Sequence, residues 1–142
     1  MVNMTTFIQA GAILHFGTLL GSALVPGKLE WRRHLTTLPP LLRHLIWVHG
    51  AFIVLVIIGF GAISILFPHE LASRSPLARG VCAFISIFWL ARLVIQLFLF
   101  DAKPYLTTAL LAVGYHGLTI VFTLLVVIYG CAAIGAAHIG AT

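Results

Sequence analysis

Three histidines and one arginine stand where their chemistry is conspicuous. His15, His49, His116 and Arg92 each lie inside a long apolar run that contains no carboxylate. Neutral imidazoles from facing helices can be the two axial ligands of b-type haem, provided they lie at matching depth. The same three rings could instead hold zinc or copper. Arg92 would then face a haem propionate or a bound quinone, because a guanidinium matches planar anions.

The spacing around each residue supports that reading. On a helix, Thr108, Ala112, His116, Thr119, Thr123 and Gly130 form one small, polar stripe. Gly11, Ala12, His15, Thr18 and Ser22 form a second, and Cys82, Ser86, Trp89, Arg92 and Gln96 a third. His49 differs, since its face is otherwise Leu45, Phe52, Ile53 and Val56. Hydrocarbon offers imidazole no partner, so such stripes are expected to face protein or a cofactor. Gly11, Gly50, Gly114 and Gly117 would leave room for a flat ring. Each histidine also has a structural reading, as a hydrogen-bonding group to a threonine or a backbone carbonyl.

The elements that must position these residues follow from composition. The chain has 142 residues, 61% hydrophobic and 8% charged, with a mean hydropathy of +1.14. These values exclude an ordinary soluble domain. The expected fold is all-α, a single polytopic domain of four transmembrane helices in an antiparallel bundle. The spans are placed at about 5–25, 41–67, 77–100 and 106–132 from apolar runs longer than the roughly 18 residues a bilayer requires. A short interfacial helix is expected at 27–38, with Trp31 as its anchor and Arg32 and Arg33 on the opposite face. Pro26-Gly27, Pro39-Pro40, Pro68 and Pro104 punctuate the runs.

Helical rise at about 1.5 Å per residue gives the expected depths. From the ends at Pro26 and Tyr105, His15 and His116 each lie roughly 15 Å in, and Arg92 lies roughly 12 Å from Asp101. His49 is placed shallower, at roughly 6–12 Å. All four ends fall on one side, so the four residues are expected to form a layer in one half of the bundle.

Charge orients the bundle. Lys28, Arg32, Arg33, Arg43 and Lys103 fall on one side, against Arg74 and Arg79 on the other. By the positive-inside rule both termini lie outside and the 26–40 loop is cytoplasmic, in a bacterial inner membrane. The net charge of +5 is thereby explained by topology and lipid headgroups, and no nucleic-acid partner is expected. The N-terminus lacks the pattern of a cleaved signal peptide. Cys82 and Cys131 have no metal-type spacing and read as two unpaired thiols.

No zinc-protease, phosphate-loop, nucleophile-elbow or dinucleotide motif is present in the sequence. Four short-looped spans with intramembrane histidines are similar in layout to b-type cytochrome membrane anchors. The favoured function is therefore haem b or quinone binding for membrane electron transfer. A second reading is an accessory or assembly subunit, or a self-associating bundle, packing on other membrane subunits through its lipid-embedded faces. Gly17–Gly21, a GxxxG pattern, and Gly59-Phe60-Gly61 agree with that. A third is a small oligomeric transporter or metal site lined by His15, His49 and His116.

Overall fold

The computed structural model describes residues 3–23, 35–99 and 109–135, and no strand occurs among them. Helix α1 is Met4–Ala23, α2 is Pro40–Leu66, α3 is Pro68–Ala72, α4 is Pro76–Val94 and α5 is Ala109–Ile134. A π-helical turn, Ile95–Leu99, carries α4 on. Three of these segments, Pro40–Leu66, Pro76–Leu99 and Leu111–Ile134, are long and apolar enough to cross a bilayer. The structure therefore supports a helical membrane protein. Helix α1 has 20 residues, but Gln9, His15 and its threonines dilute its hydropathy, and it is not among the three. Of the expected interfacial helix at 27–38, residues 27–34 lie outside the described residues. Residues 35–38 close a turn, with the Leu38 N–H on the Leu35 carbonyl at 3.2 Å.

Proline chemistry starts three of the helices. Pro40, Pro68 and Pro76 each open a helix, where a missing N–H is least costly. Ser75 caps α4 by accepting the Ala78 N–H at 3.2 Å. Before it, Arg74 adopts the left-handed conformation at φ 62°, turning the chain out of α3. Gly135, at φ +76°, ends α5, and its N–H meets the Ala132 carbonyl. Arg79 reaches across from α4 and donates from Nε to the Ala133 carbonyl at 2.7 Å. That bond satisfies a carbonyl that the end of α5 would otherwise leave without a partner.

Packing is unequal. Helices α4 and α5 share the most extensive interface, and α1 packs on both α2 and α5. The α1–α2 crossing is set at Gly61, where a Cβ would stand 2.8 Å from a Phe16 ring carbon and 3.4 Å from the His15 Cβ. Only glycine lets the two backbones approach that closely. This crossing fixes an offset. Beyond His15, α1 runs on for roughly 12 Å to Ala23, whereas α2 begins roughly 32 Å before Gly61. The first part of α2 therefore extends past α1.

Candidate functional site

His15 is the one candidate residue that the fold encloses, with no exposed surface. Its Nδ1 lies 2.7 Å from the Gly11 carbonyl on the preceding turn of α1. A carbonyl only accepts, so Nδ1 carries the proton and Nε2 is an acceptor. Nε2 in turn receives the indole N–H of Trp89 at 3.0 Å. The rings of Phe60, Trp89 and Tyr129 surround the imidazole edge-on, at centroid distances of 5.9, 5.4 and 5.5 Å. Both nitrogens are thus occupied.

The space left by Gly11 belongs to the same cluster. A Cβ there would lie 2.9 Å from the Tyr129 hydroxyl oxygen. That hydroxyl shares a 2.6 Å hydrogen bond with Ser64 Oγ of α2. His15, Ser64, Trp89 and Tyr129 thereby join α1, α2, α4 and α5 in one polar knot within an apolar core. Among the described residues, no buried side-chain nitrogen or oxygen lacks a partner.

A second set of bonds holds α4 to α5. Ser86 Oγ donates to the Val126 carbonyl at 3.0 Å. Beyond it, Gln96 Nε2 donates to Thr119 Oγ1 at 2.6 Å and to the Tyr115 carbonyl at 3.2 Å. The Tyr115 hydroxyl returns the bond to the Gln96 carbonyl at 3.0 Å. The π turn is clamped by this reciprocal pair. Of the α4 stripe read from sequence, Cys82 and Trp89 are buried, and Ser86 and Gln96 are half-buried against α5.

The other two histidines face outward. His49 is exposed on α2, with Nδ1 2.9 Å from the Leu45 carbonyl. His116 is exposed on α5, its ring edge-on to Tyr115 at 5.5 Å. They also stand at a different level from His15. His49 lies roughly 18 Å along α2 from Gly61, which is level with His15. Along α5, His116 lies roughly 20 Å from Tyr129, whose ring touches His15. The expected layer of three histidines does not form. The crossing at Gly61, which slides α2 relative to α1, accounts for His49, and the seating of Tyr129 rather than His116 against His15 accounts for α5.

A haem ligated by His15 does not fit this arrangement. No lone pair on His15 is free, and the room at Gly11 is filled by Tyr129. Nor does any group of three or more His, Cys, Asp or Glu residues that could hold a metal ion occur among the described residues. Gly50, Gly114 and Gly117 do have open space beside them, with nothing within 4 Å of an added Cβ. Arg92 is half-buried on α4, one turn before the π turn that continues the helix. Cys82 and Cys131 are free thiols.

Sequence reasoning overlooked Phe60 and Tyr129, which pack on His15, and Ser64, which bonds Tyr129. The available signal on α2 was the small pair Gly61 and Ser64, one turn apart on one face. The GxxxG pattern is not a close crossing, because Gly17 has nothing within 4 Å and Gly21 only Leu118 at 3.8 Å. Neither a protein-family model, nor a curated protein, nor a solved structure matches the chain.

Proposed function

We propose that this chain is an accessory membrane subunit that works by docking the free part of α2 against another membrane-embedded chain. In this reading α1 is a fourth span, both termini lie outside, and the 26–40 loop is cytoplasmic in a bacterial inner membrane. The observation that carries the reading is the exposure of α2. From Leu41 to Val56 every residue is exposed except the half-buried Arg43, whereas Ile57, Phe60, Gly61 and Ser64 are buried. A helix of a closed bundle covers one face against its neighbours along its whole length. Here four turns have no buried residue, and they carry His49 beside Gly50, a small residue that permits close helix approach. The internal polar groups are meanwhile satisfied within the core, which supports a structural role for His15.

Photo-crosslinking from Phe52 or Val56 in native membranes tests the proposal. A discrete protein adduct is the expected product. An adduct of twice the 15.4 kDa chain mass would identify a second copy as the partner. Lipid adducts alone, at both positions, would refute docking.

A second reading keeps b-type haem, and one observation favours it. With its Nδ1 against the Leu45 carbonyl, His49 presents Nε2 outward, as an axial ligand must. A Soret band lost in His49→Ala would establish that reading.

A further inference from the structure

Arg92 lies within the apolar Pro76–Leu99 segment, half-buried, with no hydrogen bond or ion pair to another described residue. The direction of its side chain follows from its neighbours. On α4, Trp89 faces His15 and Phe122, and Phe88 faces Phe60 of α2. Arg92 follows one turn on, between those two directions at about 100° per residue. It therefore opens toward the gap between α4 and the uncovered part of α2.

Nothing described in the protein supplies the anion. Gln96, the next residue on that stripe, is committed to Thr119 and Tyr115. Glu70 is the only acidic residue among the described ones, and it sits on α3 at the opposite end of the bundle. Arg79 makes the contrast plain, since its Nε is engaged by the Ala133 carbonyl. A guanidinium in hydrocarbon either snorkels to the headgroups or draws an anion to itself. From Arg92 to Leu99 the helix covers roughly 10 Å, a distance the long arginine stem shortens. The oxygen-rich anion at the headgroup end of that reach is a phosphodiester, which guanidinium binds through two parallel N–H···O bonds.

We propose that Arg92 is a phosphodiester-binding residue that holds the headgroup of one phospholipid between α4 and the free part of α2. Lys28, Arg32, Arg33, Arg43 and Lys103, on the same side by sequence, would enrich anionic lipid in that leaflet. The proposal rests on the membrane reading of the chain but not on the docking of α2.

Native mass spectrometry of the purified full chain, with added phosphatidylglycerol or phosphatidylcholine, reads the site directly. The wild type is expected to keep one phospholipid through delipidation. Arg92→Leu and Arg92→Gln should each reduce its retention at least tenfold, while Arg79→Gln should not. Two substitutions at Arg92, each checked for a monodisperse helical protein, separate lost binding from lost folding. Equal retention in both Arg92 variants would overturn the proposal. So would inorganic phosphate displacing the lipid at millimolar concentration, which would make the site one for a free anion. Loss of the lipid in Asp101→Asn alone, with retention in Arg92→Gln, would overturn it as well.

Discussion

Trp89 donates its indole N–H to Nε2 of His15 across 3.0 Å, from α4 to α1, at the centre of the buried cluster. This bond occupies the second nitrogen of the most enclosed histidine. Nδ1–H is held by the Gly11 carbonyl, so the ring is neutral, fixed in one tautomer and saturated. A ligand could bind Nε2 only by breaking the Trp89 contact and entering a space already lined by three aromatic rings.

The first prediction concerns that bond. Trp89→Phe keeps an aromatic ring but leaves Nε2 of His15 buried without a donor. The expected cost has two parts, the lost ring volume and about 1–3 kcal/mol for the unpaired acceptor. A double-mutant cycle with His15→Leu separates them. Interhelical hydrogen bonds in membranes average about 0.6 kcal/mol and reach about 1.7, so the coupling should fall in that range. Zero coupling in thermal unfolding would show that the two rings merely pack.

A second prediction uses glycines that differ in surroundings. Gly61→Ala must push a methyl group against the Phe16 ring, 2.8 Å away, on a helix–helix crossing. Such overpacking costs about 1–3 kcal/mol. Gly59, two residues earlier on the same helix, has nothing within 4 Å of its Cβ position. Gly59→Ala should be neutral, or stabilising by up to about 1 kcal/mol through helix propensity. Comparing the two unfolding midpoints checks the α1–α2 register, and equal midpoints would mean the crossing lies elsewhere.

Much of the helical architecture was legible in the sequence because apolar length and proline placement report it directly. The observed bounds of α2 and α4 with its π turn are one residue from those expected. The inward face of α4 was legible too, since Ser86, Trp89 and Gln96 are polar groups in an apolar helix and each found a partner. The face of α5 was legible only in part. In a helix apolar all round, hydropathy sets no direction, because lipid and core are equally apolar. Of the stripe read around His116, Thr119 meets Gln96 and Gly130 lies against Ser86, whereas His116 itself is exposed and the hydroxyls of Tyr115 and Tyr129 turn inward. His116 sits about 100° around the helix from Tyr115, and so outside the core. Relative depth was illegible for a different reason. Span lengths and loops do not encode where two helices cross, and the Gly61 crossing separates His15 from His49.

The third prediction addresses the clamp at the π turn. Tyr115→Phe removes the hydroxyl that caps the Gln96 carbonyl at 3.0 Å and leaves the ring in place. The stability loss should be modest, about 0.5–1.5 kcal/mol, as for one hydrogen bond. The local effect should be larger, because a wide helical turn is less stable without its cross-helix support. Hydrogen exchange at residues 95–99 should quicken, with the core around Trp89 unchanged. Uniform quickening along α4 would show instead that Tyr115 stabilises the whole α4–α5 interface.

The last prediction separates the docking and haem readings. Protein purified from cells supplied with haem is expected to show no Soret band, because His15 is saturated, and His49 and His116 are exposed on α2 and α5, which share no extensive interface. His15→Ala should then lower thermal stability by several degrees through the lost Trp89 bond and the cavity left among three rings. His49→Ala and His116→Ala, both at exposed positions, should leave unfolding within about 0.5 kcal/mol of wild type. His49→Ala, on the proposed docking face, should differ from wild type in partner crosslinking instead. Should a Soret band appear, its dependence on the histidines decides what the docking reading loses. A band abolished by His49→Ala or His116→Ala but surviving His15→Ala would place haem on the outer face of the helices, where a partner chain could supply the second ligand. A band abolished by His15→Ala in a protein that is still folded would mean the Trp89 contact opens on ligation, and the structural role assigned to His15 would be wrong.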